Sequence, residues 1–78
     1  MRTVLDASAA ANIVLRTDLA SGLIEKLKHS QLVLAPALFH SEIANTLWKY
    51  VRSGDLDKGT ALTRYAGAIG LVDVIEPD

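Results

Sequence analysis

Apolar residues recur along the chain in two rhythms. Thr3-Val4-Leu5 and Leu32-Val33-Leu34-Ala35 are short apolar runs of β-formers without polar alternation, which read as buried strands. Leu71 to Ile75 alternates in part, with Val72 and Val74 expected inward and Asp73 outward, and reads as a third strand stopped by Pro77. Helical spacing fills the intervals. Ala9 to Leu15 is helical in composition and small on most faces. Leu19, Leu23, Ile24 and Leu27 set Glu25, Lys26 and Lys28 on the opposite side. Phe39, Ile43, Ala44, Leu47, Trp48 and Val51 make the stripe of a third helix, and Leu62, Tyr65, Ala66 and Ile69 that of a fourth.

The punctuation between these segments agrees with them. Ser8 reads as the N-cap of the first helix, the plainer alternative being that Asp6 is the cap. Thr17-Asp18 offers a break and a new cap, and His29-Ser30-Gln31 ends the second helix. Pro36 suits the start of a third helix because its missing N–H costs nothing there; that helix is predicted from about 37 to 53, stopped by Gly54. Asp55 or Asp57 caps the fourth helix, and Gly70 ends it. The order β-α-α-β-α-α-β predicts one α/β domain over 1–78 with a parallel sheet and right-handed crossovers. With strands at 3–5, 32–34 and 72–74 the expected arrangement has three layers, helices on both faces, and strand order 3-2-1.

Composition narrows the classes. At 78 residues the chain is one domain with a small core, and such domains usually draw on a metal, disulfides or a partner. Cysteine is absent, which rules out disulfides and thiolate metal sites and fits a reducing, cytoplasmic setting. There is no signal-peptide pattern and no apolar run near the roughly 20 residues that span a bilayer. A net charge of −1 gives no global basic field for nucleic acid. Gly54, Gly59, Gly67 and Gly70 match helix ends and packing rather than a phosphate loop, and His29 and His40 are isolated.

Two acids occupy addresses where chemistry is common. Asp6 closes strand one, and Glu42 lies near the start of helix three, just after strand two. In parallel sheets ligands gather at the carboxyl ends of strands. A carboxylate pair there is hard-oxygen chemistry suited to Mg²⁺ or Mn²⁺, ions that activate water and neutralise charge on a phosphodiester. Asn45, Lys49 and Arg52 share the polar side of helix three with Glu42. Spacing alone makes that side a solvated face with a weak charge pair; the sharper reading is a metal ligand followed by a track along a phosphate backbone.

Val4-Leu5-Asp6-Ala7-Ser8-Ala9, then Leu34-Ala35-Pro36-Ala37-Leu38 leading into Ser41-Glu42-Ile43-Ala44-Asn45-Thr46-Leu47-Trp48-Lys49, resemble the PIN-domain ribonucleases, and among them the VapC-type toxins of toxin–antitoxin pairs. The resemblance implies a metal-dependent endoribonuclease in which Asp6 and Glu42 hold Mg²⁺ or Mn²⁺ and Ser8 stands beside the first acid in a supporting or capping role. Asn45, Lys49 and Arg52 would then contact RNA. It also implies an antitoxin protein as partner. It corresponds to the N-terminal half of the domain or slightly more, making 1–78 a partial PIN-like domain. The family's remaining acids belong to the other half, and Asp73, Glu76 and Asp78 flank strand three on the far edge. Activity is thereby in question, and the alternative is an inert remnant serving as a dimerisation or antitoxin-binding module. A flavodoxin-like or receiver-like reading wants a phosphate loop or clustered acids after strand one, and only Asp6 is there. An open edge at strand one predicts a homodimer, through that strand or the apolar faces of helices one and three.

Overall fold

A computed structural model describes residues 1–77. The elements run β1 (Arg2–Val4), α1 (Ala7–Val14), α2 (Ala20–Lys28), β2 (Leu32–Ala35), α3 (Phe39–Arg52), α4 (Lys58–Ile69) and β3 (Val74–Ile75). The strands form one parallel sheet in the order β1-β2-β3, so β2 is central. The expected 3-2-1 is that same adjacency counted from the opposite edge. β1 begins and ends one residue early and β3 sits at 74–75 rather than 72–74, but the α/β class and the element order are as the sequence predicts.

The expected three layers are corrected to two. Both crossovers step the same way across the sheet, and right-handed crossovers that do so place their helices on one face. The core accordingly draws Leu5, Val33, Ala35 and Ile75 from one face of the sheet. Val4, Leu34 and Val74 are side by side in the register on the other face, and none of them joins that core. Val4 is 69% and Val74 44% exposed, with Leu34 buried between them. Neither β1 nor β3 is therefore buried on both faces, and Val74 points out where the alternation predicted it inward. The shortest dimension of the backbone, 16 Å, is that of a sheet with a single helical layer roughly 10 Å above it.

Phe39 and Ile43 of α3 are fully buried at the centre of the core, against Ala7, Ala10, Ala11, Ile13 and Val14 of α1. The fourth helix departs from its predicted stripe. Leu62 and Ala66 are exposed, and α4 buries Ala68 instead. A Cβ on Gly67 would lie 3.8 Å from Val14 Cγ1, an ordinary contact distance to α1. Tyr65 and Ile69, the other two residues of the predicted stripe, are half-buried and pack against the core.

Helix ends follow hydrogen-bonding chemistry. Asp6, not Ser8, caps α1: its Oδ1 accepts the Ala9 N–H at 2.7 Å. Leu19 occupies the cap position of α2 without a side-chain bond, while Thr17 Oγ1 accepts the Leu19 N–H at 3.3 Å. Past α3, Gly54 adopts φ 84°, and the N–H groups of Gly54 and Asp55 donate to the Val51 and Tyr50 carbonyls at 3.1 and 3.0 Å. That paired closure needs a left-handed residue, which glycine supplies without a Cβ penalty. Asp57 caps α4, accepting the Thr60 N–H at 2.7 Å and the Thr60 hydroxyl at 3.0 Å, and these bonds hold its carboxyl below the usual carboxylate pKa. A group whose folded pKa is depressed stabilises the fold above its unfolded pKa and loses that contribution as pH falls through the folded value. Asp57→Ala should therefore lower Tm at neutral pH, and the gap to the parent should narrow below about pH 4. A gap independent of pH would show that the charge plays no part in the cap.

β3 is short, and Asp73 fastens it. The Asp73 N–H donates to the Val33 carbonyl at 2.8 Å, and Asp73 Oδ2 accepts the Val33 N–H at 2.7 Å. The carboxylate thus substitutes for a ladder partner on the central strand. Asp73→Ala should cost about 0.5–1.5 kcal/mol, the net worth of a typical hydrogen bond, as this one is part-buried, read from urea unfolding. An unchanged midpoint would mean that water replaces the carboxylate freely.

Candidate functional site

Asp6 and Glu42 reach the same end of the molecule by topology. β1 and β2 are adjacent and parallel; Asp6 follows β1, and Glu42 lies in the first turn of α3 after β2. Both acids stand at the carboxyl edge of the sheet, where neighbouring strand ends open towards ligands. Both are exposed, and neither forms an ion pair among the described residues, whose salt bridges are those of Glu25 with Lys28 and His29. One oxygen of Asp6 is engaged by the cap at Ala9, and the other makes no hydrogen bond among the described residues. Asp73 and Glu76 are on the opposite edge, the former occupied with Val33. Asp78 lies outside the described residues.

Glu42 also borders a groove of about 310 Å³ between α1 and α3. Ser8 and Asn12 of α1, Thr17 of the following turn, and Glu42, Thr46 and Tyr50 of α3 give it polar walls, over a floor of Ala7, Ala11 and Leu15. The groove brings Ser8 and Glu42 together, and Asp6 is not part of its wall. Asn45, Lys49 and Arg52 are exposed and do not line it, so the basic track runs along a separate face of α3. Sequence reasoning passed over Asn12, Thr17, Thr46 and Tyr50. The signal was a polar file at helical spacing: Ser8 and Asn12 four apart, and Glu42, Thr46 and Tyr50 likewise four apart.

A second groove, about 320 Å³, lies between α3 and α4 and is apolar, lined by Ala44, Trp48, Val51 and Leu62 among others. Ala44 and Trp48, assigned to the buried stripe of α3, are thus exposed along it. His40 is half-buried and meets Phe39 and Tyr65 edge-on at ring separations of 6.1 and 6.5 Å, so it packs in the helical layer and, among the described residues, stands in no cluster of ligands.

The donor chemistry at the sheet edge is all oxygen, which suits a hard dication. Among the described residues no group of three or more His, Cys, Asp or Glu gathers to hold one. Among the described residues no helix is long and apolar enough to cross a membrane. No protein-family model matches the chain, and no curated protein does either.

Proposed function

We propose that the chain is a PIN-like, metal-dependent endoribonuclease module of the toxin–antitoxin type, acting on RNA phosphodiesters in the cytoplasm. The observation that supports this reading best is the placement of Asp6 and Glu42 at the ends of two adjacent parallel strands. Asp6 and Glu42 would hold Mg²⁺ or Mn²⁺. Bound there, the ion would supply charge neutralisation and an activated water. Asp6 is fixed by the Ala9 N–H, which leaves one carboxylate oxygen for the task. Ser8, in the first turn of α1 and beside Glu42 in the groove, is placed to position water by its hydroxyl. Asn45, Lys49 and Arg52 would track the RNA backbone on the open face of α3. The test is RNA cleavage with and without Mn²⁺, comparing the chain with Asp6→Asn.

The second reading, an inert module that binds an antitoxin-like protein or its own copy, is favoured by bare apolar surface. The chain exposes 5095 Å², against about 4,600 Å² expected of a folded monomer of its mass. β1 is an edge strand and Val4 projects from the uncovered face. The apolar side of α1 is consumed by the core, so it drops out as an interface, whereas Trp48 of α3 stays exposed. A homodimer through β1 and this face is expected by light scattering at micromolar concentration, with Val4→Lys shifting it towards monomer. A parent chain that is monomeric there would remove the homodimer from this reading.

A further inference from the structure

We propose that the groove between α1 and α3 docks a nucleobase of single-stranded RNA, stacked on Tyr50 and held along its edge by Asn12, with adenine favoured. The proposal rests on the ribonuclease reading for its ligand class, and its evidence is the groove itself. Tyr50 is 39% exposed, and its hydroxyl makes no hydrogen bond among the described residues. An exposed aromatic face beside a polar wall is what single-stranded nucleic acid uses, because every base presents a π-face. The small side chains of Ala7 and Ala11 leave a flat apolar floor on which a ring can lie. The only charged side chain in the wall is Glu42, so the interior repels a bare phosphate and accepts a neutral, flat, hydrogen-bonding group. A volume of about 310 Å³ holds one such group rather than a length of strand.

Asn12 holds the base edge. Its amide N donates to the Ser8 carbonyl at 3.0 Å, and its Oδ1 accepts from the Thr17 hydroxyl at 2.7 Å. Held at both ends, the amide keeps one N–H and one acceptor lone pair uncommitted. One donor beside one acceptor complements adenine N7 and N6 and equally uracil N3–H and O4, so Asn12 anchors a base edge while the larger stacking face of a purine on Tyr50 favours adenine over uracil. Glu42, Thr46 and Tyr50 follow one another down α3, so the stacked base sits about 12 Å from the acid. Tyr50 would accordingly hold a neighbouring nucleotide and leave the one being cut at the sheet edge.

The experiment is a metal-free titration of the ¹⁵N-labelled chain with adenosine and, separately, uridine, followed by amide shifts. Saturable shifts at Asn12, Thr46 and Tyr50 are expected, with adenosine the tighter ligand. Tyr50→Ala should weaken adenosine roughly tenfold and Tyr50→Phe should leave it near the parent value, which keeps stacking distinct from loss of fold. Asn12→Ala should weaken adenosine and uridine alike, leaving the preference set by stacking. No shifts at these amides, or equal affinity in Tyr50→Ala, would overturn the proposal. Metal-dependent cleavage that Tyr50→Ala leaves unchanged in KM would overturn it while sparing the nuclease reading. Adenosine bound at Tyr50 without any metal-dependent cleavage would support the groove and remove the nuclease.

Discussion

Phe39→Ala is expected to be among the most destabilising single changes in the chain, removing about 3–5 kcal/mol and moving the urea midpoint far below the parent's. Phe39 is completely buried and stands at the junction of α3, α1 and the sheet. Truncating a buried phenylalanine costs about 3–5 kcal/mol, the lost transfer energy plus the cavity left behind. At roughly 0.05–0.15 kcal/mol per residue, a chain of this length has only about 4–12 kcal/mol in all. A core with only one helical layer has little means of collapsing around the hole. Ile43→Val, at a site equally buried, removes a single methyl and should cost only about 0.5–1.5 kcal/mol. Urea unfolding by circular dichroism at one fixed chain concentration checks both, since self-association would otherwise shift the midpoints. A Phe39→Ala midpoint close to the parent would mean that the true core lies elsewhere.

The same contacts explain how much of the fold was legible. The stop at Gly54 was readable, and the cap of α4 was narrowed to Asp55 or Asp57, of which Asp57 serves, because each answers a local hydrogen-bonding demand that a few residues satisfy by themselves. The cap of α1 slipped by two residues because Asp6 and Ser8 are chemically equivalent caps, and only the end of β1 decides between them. The covering of the sheet was misread for a global reason. An apolar run of three or four residues looks the same whether one face or both are covered, and the direction in which successive crossovers step settles the matter. Val4 and Val74 are exposed as a result. On α4 the stripe was legible in part: Tyr65 and Ile69 pack against the core as predicted, whereas Leu62 and Ala66 face outward and Ala68 takes the buried position.

The candidate site divides along similar lines. Asp6 and Glu42 could be placed from sequence because strand ends and helix starts are local features, and parallel adjacency of β1 and β2 carries them to one edge. The groove could not, since it exists only once α1 and α3 pack side by side. Asn45, Lys49 and Arg52 share the polar side of α3 with Glu42 on a helical wheel, yet Glu42 faces the groove with Thr46 and Tyr50. A wheel has no means of knowing which part of a polar side a neighbouring helix will enclose.

Asp6→Asn is expected to abolish Mn²⁺-dependent RNA cleavage while leaving the fold intact. Asparagine caps helices about as well as aspartate, so the bond from the Ala9 N–H persists and stability should change little. What disappears is the negative charge. Lewis-acid stabilisation by a dication is worth several kcal/mol in the transition state, and each 1.36 kcal/mol is tenfold in rate, so a loss of at least about 100-fold is expected. Glu42→Gln should behave alike, because it removes the other carboxylate charge proposed to hold the ion. Calorimetry should find only weak Mg²⁺ binding in the parent, as this ion keeps several waters and asks for more support than two acids give. The outcomes separate cleanly. Cleavage in Asp6→Asn equal to the parent would reduce Asp6 to a helix cap. Parent chain that is folded yet never cleaves RNA, whatever the dication, would eliminate the enzyme and leave the interaction module. Loss of cleavage together with loss of helical signal in Asp6→Asn would show that the cap depends on the carboxylate's charge, and Glu42→Gln, which caps nothing, would then carry the test of catalysis.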